Sequence, residues 1–331
     1  MKSIAKFSIL LTLTVSVVLS ACGGGGGAGA PAIATGAAAP APITLPSAPV
    51  AAGYAAGSQQ GEAFALLNSE RVKCGFGSLA KSAALDVAAG AHANFLAENG
   101  TQYGHFEVAG LPFFSGVVEQ DRAKAAGYLD PVAAVLASSF GPLAASQART
   151  ISMQVRDLLG APYHLLAAID DYARVGVGYA SKVTGTRETK ALNITLGDPG
   201  NNPLDAAEVY TYPCAGSTSV NSRLVDETPS PIPLNLAQDF RLYGTPIGVK
   251  VRTGKVLNLT GATVTPSAGG AAVPAQIVSL ANTPQPALMR ADSAYVLPTS
   301  PLTPSTTYTV QLAGTSDGVA FTKTFSFTTS Q

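Results

Sequence analysis

The apolar residues of this chain change period once, between residues 160 and 175, and that change limits the folds open to it. Before it, side chains recur at three- and four-residue spacings. Phe64, Leu67 and Arg71 share a face over residues 62–71, and Cys74, Gly75 and Gly77 stop the segment. A second helix is clearer: Ser82 caps it, Leu85, Ala88, Ala89, His92, Phe95 and Leu96 form its stripe, and Gly100 ends it. Further helices are expected over 118–127 and 151–159. Past the change, Val175-Gly-Val-Gly-Tyr179 and Ala191-Leu-Asn-Ile-Thr-Leu196 read as strands joined through a polar hairpin-like segment, 181–190. Helices in one half and strands in the other describe an α+β domain over 59–226.

Composition shifts again at Glu227, where Thr228-Pro-Ser-Pro-Ile-Pro233 reads as a stiff linker. Beyond it, over 227–331, short apolar runs at 247–251, 256–259, 276–280, 295–297, 308–312 and 321–327 alternate with Gly, Pro, Asn and Ser turns. That spacing favours an all-β sandwich. Leu302-x-Pro304-x-x-x-Tyr308 resembles the tyrosine corner of Greek-key sandwiches, in which the phenol bonds back to nearby backbone. The tail, 301–310 and 325–329, resembles the last two strands of bacterial immunoglobulin-like domains.

The N-terminus reads as an export signal: Lys2 and Lys6, an apolar stretch from Phe7 to Leu19, then small residues before Cys22. The stretch is shorter than the roughly 20 residues that cross a bilayer. Leu19-Ser20-Ala21-Cys22 resembles a bacterial lipobox, which implies cleavage after residue 21 and a lipid-anchored Cys22, with the membrane as a partner. The absence of Asp at position 23 resembles the outer-membrane sorting pattern. Residues 22–58 are Gly, Ala and Pro with almost no charge, and cannot bury enough surface to offset their ordering entropy. They are expected to form a flexible tether with a reach of about 30 to 36 Å.

Without residues 1–21, which hold two lysines, 18 basic and 20 acidic groups are left, a net of 18 − 20 = −2. No clustered basic face is present, so nucleic acid is not an expected partner. With Cys22 lipidated, Cys74 and Cys214 are left for a disulfide in an oxidising compartment. The alternative is two buried thiols.

All three histidines, His92, His105 and His164, fall in the first region. Alone, His92 on its apolar stripe reads as a core residue, whereas His105 and His164 sit where a cleft can form. Leu67-Asn68-x-x-Arg71, Ala91-His92-Ala93-x-x-Leu96, Gly104-His105, Arg122 to Gly127-Tyr128, Ala161-Pro162-Tyr163-His164 and Val175-Gly-Val-Gly-Tyr179 follow one another in the order of bacterial CAP (SCP-like) domains, which the region resembles over about 60–197. The resemblance implies an α-β-α sandwich with a cleft of two histidines and two glutamates, and in some members a divalent metal. His105 and His164 match the histidines, which makes them the candidates for catalysis and for Zn²⁺ or another divalent ion.

The family's Gly-Glu-Asn pattern is missing. No Asp or Glu occurs from Pro131 to Arg156, so the two imidazoles lack their usual acid, and Glu107 or Glu119 would have to stand in. His92, Glu107 and Tyr163 are expected around the cleft. No Gly-x-Ser-x-Gly elbow offers a nucleophile. The expectation is a non-catalytic binding module for a lipid, a peptide or a surface partner. The alternatives are a metal-assisted, peptidase-like hydrolase and a purely structural or adhesive surface protein.

Overall fold

The computed structural model describes residues 53–331. The expected signal segment, Cys22 and most of the tether lie outside the described residues. Among the described residues no helix is long and apolar enough to cross a membrane.

The first half is built from helices α1 (Gln59–Lys73), α2 (Ala83–Asn99), α3 (Glu119–Ala125), α4 (Leu143–Gln147), α5 (Ile151–Leu159) and α6 (Pro162–Ala168). With them go strands β1 (Ala80–Lys81), β2 (Val132–Pro142), β3 (Arg174–Thr184) and β4 (Arg187–Gly197). Ser58, Ser82 and Thr150 cap α1, α2 and α5 with side-chain oxygens, satisfying amides that a helix start leaves unpaired. The strands form one sheet, ordered β1-β3-β4-β2. Alternation along β4 assigns its faces: Leu192, Ile194 and Leu196 join the main core, whereas Ala191 packs with Ala93, Phe95 and Leu96 of α2. Helices therefore cover both faces, in three layers.

Two glycines set the distance of α2 from that sheet. A Cβ on Gly176 would stand 2.0 Å from the Leu85 carbonyl carbon, and one on Gly178 2.1 Å from the Ala89 carbonyl oxygen. Only a residue without a side chain lets helix and sheet backbones touch in this way.

The second half holds β6 (Ile247–Lys250), β7 (Leu257–Pro266), β8 (Ala275–Ser279), β9 (Ser293–Pro298), β10 (Thr307–Ser316) and β11 (Val319–Thr328). Two sheets, β11-β10-β7 and one ordered β5 (Tyr210–Tyr212)-β6-β9-β8, enclose a core that includes Val249, Val264, Val296, Tyr308, Val310 and Phe327. Strand β5 comes before the expected linker yet pairs with β6. The phenol of Tyr308 accepts the Thr303 N–H at 2.8 Å, the backbone bond anticipated for that motif.

The described end of the expected tether, residues 53–58, and the expected stiff linker both make contacts with the packed body. Within the expected tether, the Tyr54 ring packs tilted against Phe64, with centroids 5.3 Å apart, and its phenol donates to Asp86 at 2.5 Å. One aromatic ring supplies the burial that Gly and Ala cannot. Within the expected linker, Ile232 is buried and the Pro231 carbonyl accepts from Tyr295 at 2.5 Å. The cause lies in β9: Ala294 and Val296 face the sandwich core, while Tyr295 and Leu297 face the core of the first half. The central strands of that sheet, β6 and β9, are thus buried on both sides.

Lys250 and Arg290 tie the same junction. Lys250 pairs with Asp170 at 2.8 Å and Asp292 at 3.0 Å, and Arg290 reaches both carboxylates. A disulfide joins Cys74, at the end of α1, to Cys214, just past β5, with their Cα atoms 5.4 Å apart.

Candidate functional site

His164 is the third residue of α6, a helix begun by Pro162 at its first position, where the missing N–H carries no penalty. His105 follows Gly104, whose φ of +54 turns the chain directly after a 3-10 turn. Their Nε2 atoms are 3.3 Å apart, with ring centroids at 5.5 Å. The two distant imidazoles therefore do meet.

The acid expected to be missing is present, and it comes from the wrong part of the sequence. Glu227 Oε2 lies 2.7 Å from His164 Nδ1 and accepts the His164 N–H at 3.2 Å, while Oε1 accepts the Tyr163 N–H at 2.8 Å. This corrects the inference drawn from the acid-free stretch 131–156: the chain returns from β5 across the start of α6 and lays a buried carboxylate there. An ionised carboxylate only accepts; beside one, a neutral His164 carries its proton on Nδ1 and turns its bare Nε2 toward His105. Burial, helped by His164, His92 and Arg122, pushes the His105 imidazole down to about 3, which keeps that ring neutral near pH 7.

His92 and Glu107 stand together, but not in the pair. His92 Nδ1 meets Glu107 Oε1 at 2.9 Å, and its Nε2 meets the Gly104 carbonyl at 2.9 Å. Glu107 also accepts the amides of Ser115 and Gly116. Burial alone would raise the Glu107 carboxyl, yet the His92 bond, the Ser115 amide and nearby Arg122 hold it below its ordinary value. Arg122, buried, donates to the His105 carbonyl at 3.1 Å. These three residues fix the loop that presents His105, one carbonyl to either side of its Cα. Sequence reasoning placed His92 on the apolar stripe, which the structure confirms, and missed Arg122 as a clamp.

Tyr163 contributes its amide to Glu227 but turns its phenol to Thr283 at 2.9 Å. Glu119 lines the larger of two cavities beside the pair without bonding either histidine. Those cavities, of about 390 and 500 Å³, both have His105, His164 and Glu227 in their walls.

Two nitrogens bound to a tetrahedral zinc at 2.0 to 2.1 Å stand about 3.3 to 3.4 Å apart. The spacing of the pair equals that edge, and Glu227 behind His164 is the outer carboxylate such ligands usually have. Among the described residues, however, no group of three or more His, Cys, Asp or Glu converges on one point. The residues fit a two-imidazole ion site whose other positions fall to water or to a bound molecule.

No known family model matches the chain, and no curated protein matches it.

Proposed function

We propose that the chain is an envelope protein, anchored by lipid at Cys22 and carried to the outer membrane, with a CAP-type domain and an immunoglobulin-like sandwich, whose histidine cleft is a metal-assisted hydrolytic site for peptides. The order of the sequence motifs, the three-layer arrangement and the Tyr308 corner support the two domain assignments. The observation that carries the chemistry is the line Glu227–His164–His105, with contacts of 2.7 and 3.3 Å. Once an acid is in place, the main argument against turnover falls.

In this reading His105 and His164 hold a divalent cation through Nε2. When bound, the ion would polarise a carbonyl and lower the pKa of water. Glu227 keeps the proton on His164 Nδ1 and so keeps Nε2 available. Hydrolysis adds water to the carbonyl carbon, breaks the C–N bond and leaves the water's second proton on the amine; both cavities open onto the point where this occurs. Titration of the mature chain with Zn²⁺ tests the proposal. One bound ion, lost in His105→Ala and His164→Ala, together with cleavage of a peptide library that needs the ion, is expected. A chain that binds no divalent ion and cleaves nothing would refute it.

A second reading, recognition without turnover, is favoured by one observation: among the described residues only two ligating side chains converge, whereas catalytic zinc sites use three. It predicts peptide or lipid binding that survives loss of both histidines.

A further inference from the structure

The β1-β3-β4-β2 sheet has β2 at its edge, and the strand's one proline is its last residue, Pro142. Residues 132–141 carry no charge and no proline, although exposed edges are normally blunted by one or the other. Register shows which backbone groups are free. Leu143 N–H donates to the Thr186 carbonyl at 2.9 Å, and β2 pairs with β4 so that partner numbers always sum to that pair's total. Odd-numbered residues of β2 therefore bond to β4, and even-numbered ones point away from the sheet. Val132 agrees: its outward N–H donates to Gln120 Oε1 at 3.1 Å. For Ala134, Leu136 and Ser138, no hydrogen bond from the described residues reaches the outward N–H or C=O.

The free edge runs through both cavities. The larger is lined by Ala133, Ala134 and Val135, the smaller by Leu136, Ala137 and Ser138, and the histidine pair belongs to both. His105 and His164 thus share their cavities with six consecutive residues of strand, 133–138. At about 3.4 Å per residue those six match an extended ligand about 20 Å long.

We propose that the outward edge of β2 takes an extended polypeptide as an added strand, whose backbone pairs with Ala134, Leu136 and Ser138 and passes between that edge and the two histidines. Main-chain bonds supply the affinity, and the cavities sort alternate side chains. The larger cavity, walled in part by Phe106, Val118 and Leu288, takes an apolar side chain. The smaller, beside the Arg149–Asp157 ion pair, takes a polar one. This rests on the cleft proposed above and names its substrate class as peptide, not lipid.

The test uses the mature chain and a pool of uncharged octapeptides built from Ala, Val, Leu, Phe, Ser and Thr. It is paired with the same pool N-methylated at alternate amides in both registers. Binding of the first pool is expected to slow hydrogen exchange at Ala134, Leu136 and Ser138 at least tenfold, and N-methylation to weaken binding at least tenfold. Ala134→Pro, which removes one outward donor, should weaken binding without releasing the β4 ladder; should it fail to fold, the N-methylated pool still decides. Equal binding of both pools, protection confined to other amides, or no binding at millimolar peptide would overturn the proposal. Peptide bound on this edge but never cleaved, with or without Zn²⁺, would leave the strand inference standing and remove the hydrolytic reading.

Discussion

Glu227 and His164 are 63 positions apart, yet one carboxylate of Glu227 caps the first turn of α6 and holds the Nδ1 proton of His164 at 2.7 Å. A single side chain therefore sets both the start of the helix and the tautomer of the ring it carries. Glu227→Gln retains an acceptor for one amide but offers the imidazole an ambiguous partner. Loss of such an outer carboxylate typically weakens metal binding 10- to 100-fold. The expected result, read by Zn²⁺ or Co²⁺ titration, is a loss in that range with the fold intact by circular dichroism. Unchanged affinity would show that Glu227 serves only as a cap.

His92 should prove structural. It lies fully buried between Glu107 and the Gly104 carbonyl, and removing one member of a buried pair costs about 3 to 5 kcal/mol because the other is left unmatched. His92→Ala is expected to lower the urea midpoint by that equivalent and to loosen the 104–117 loop. Hydrogen exchange at the Ser115 and Gly116 amides, which donate to Glu107, reports the loosening.

Acid should weaken the fold through Glu107 and Asp170. Burial opposes ionisation of Asp170, but Lys250 and Arg290 outweigh it, so both carboxyls are held below their ordinary values of 4.5 and 3.8. A group whose folded pKa is depressed stabilises the fold fully above its unfolded value. It loses that contribution as pH falls from the unfolded value through the folded one. Stability should therefore be level near neutrality and fall below about pH 4.5. Urea midpoints measured from pH 7 to pH 3 check this, and Glu107→Gln and Asp170→Asn should each flatten the acid limb while lowering the plateau.

Much of this was legible beforehand where a local rule decides the structure. Helix α2 announced itself through Ser82, the apolar stripe and Gly100, and the strands β3 and β4 through their flanking turns. With Cys22 set apart as the expected lipid anchor, Cys74 and Cys214 were left as either a pair or two buried thiols, and the structure joins them. Strand β2 was not legible, because Val132 to Ser139 is Ala, Val, Leu and Ser with neither period, and only its place beside β4 makes it a strand. Glu227 was invisible for a different reason. A carboxylate ahead of a proline-rich stretch looks like linker, and nothing nearby records that Tyr295 and Ile232 draw that stretch into the core. The histidines could be named from motif order, but the acid that completes their site is set by tertiary packing.

The glycines of Val175-Gly-Val-Gly-Tyr179 offer the sharpest test of the layering. Each faces the backbone of α2, not a side chain that could rotate away: a Cβ at 176 or 178 would sit 2.0 to 2.1 Å from main-chain atoms of Leu85 or Ala89. Overpacking a core usually costs about 1 to 3 kcal/mol when side chains can adjust. Here the whole helix would have to lift, carrying with it His92 and through it the Gly104 carbonyl. Gly178→Ala should therefore lose more than about 3 kcal/mol, measured by urea denaturation, and should also separate the histidines enough to abolish Zn²⁺ binding in whatever folded fraction survives. Gly185→Ala, at the exposed β3–β4 turn where φ is +60 and nothing lies within 4 Å, should cost only the roughly 1 to 2 kcal/mol of left-handed backbone strain and leave ion binding untouched. A Gly178→Ala protein as stable as the parent would mean that α2 does not rest on the sheet as described.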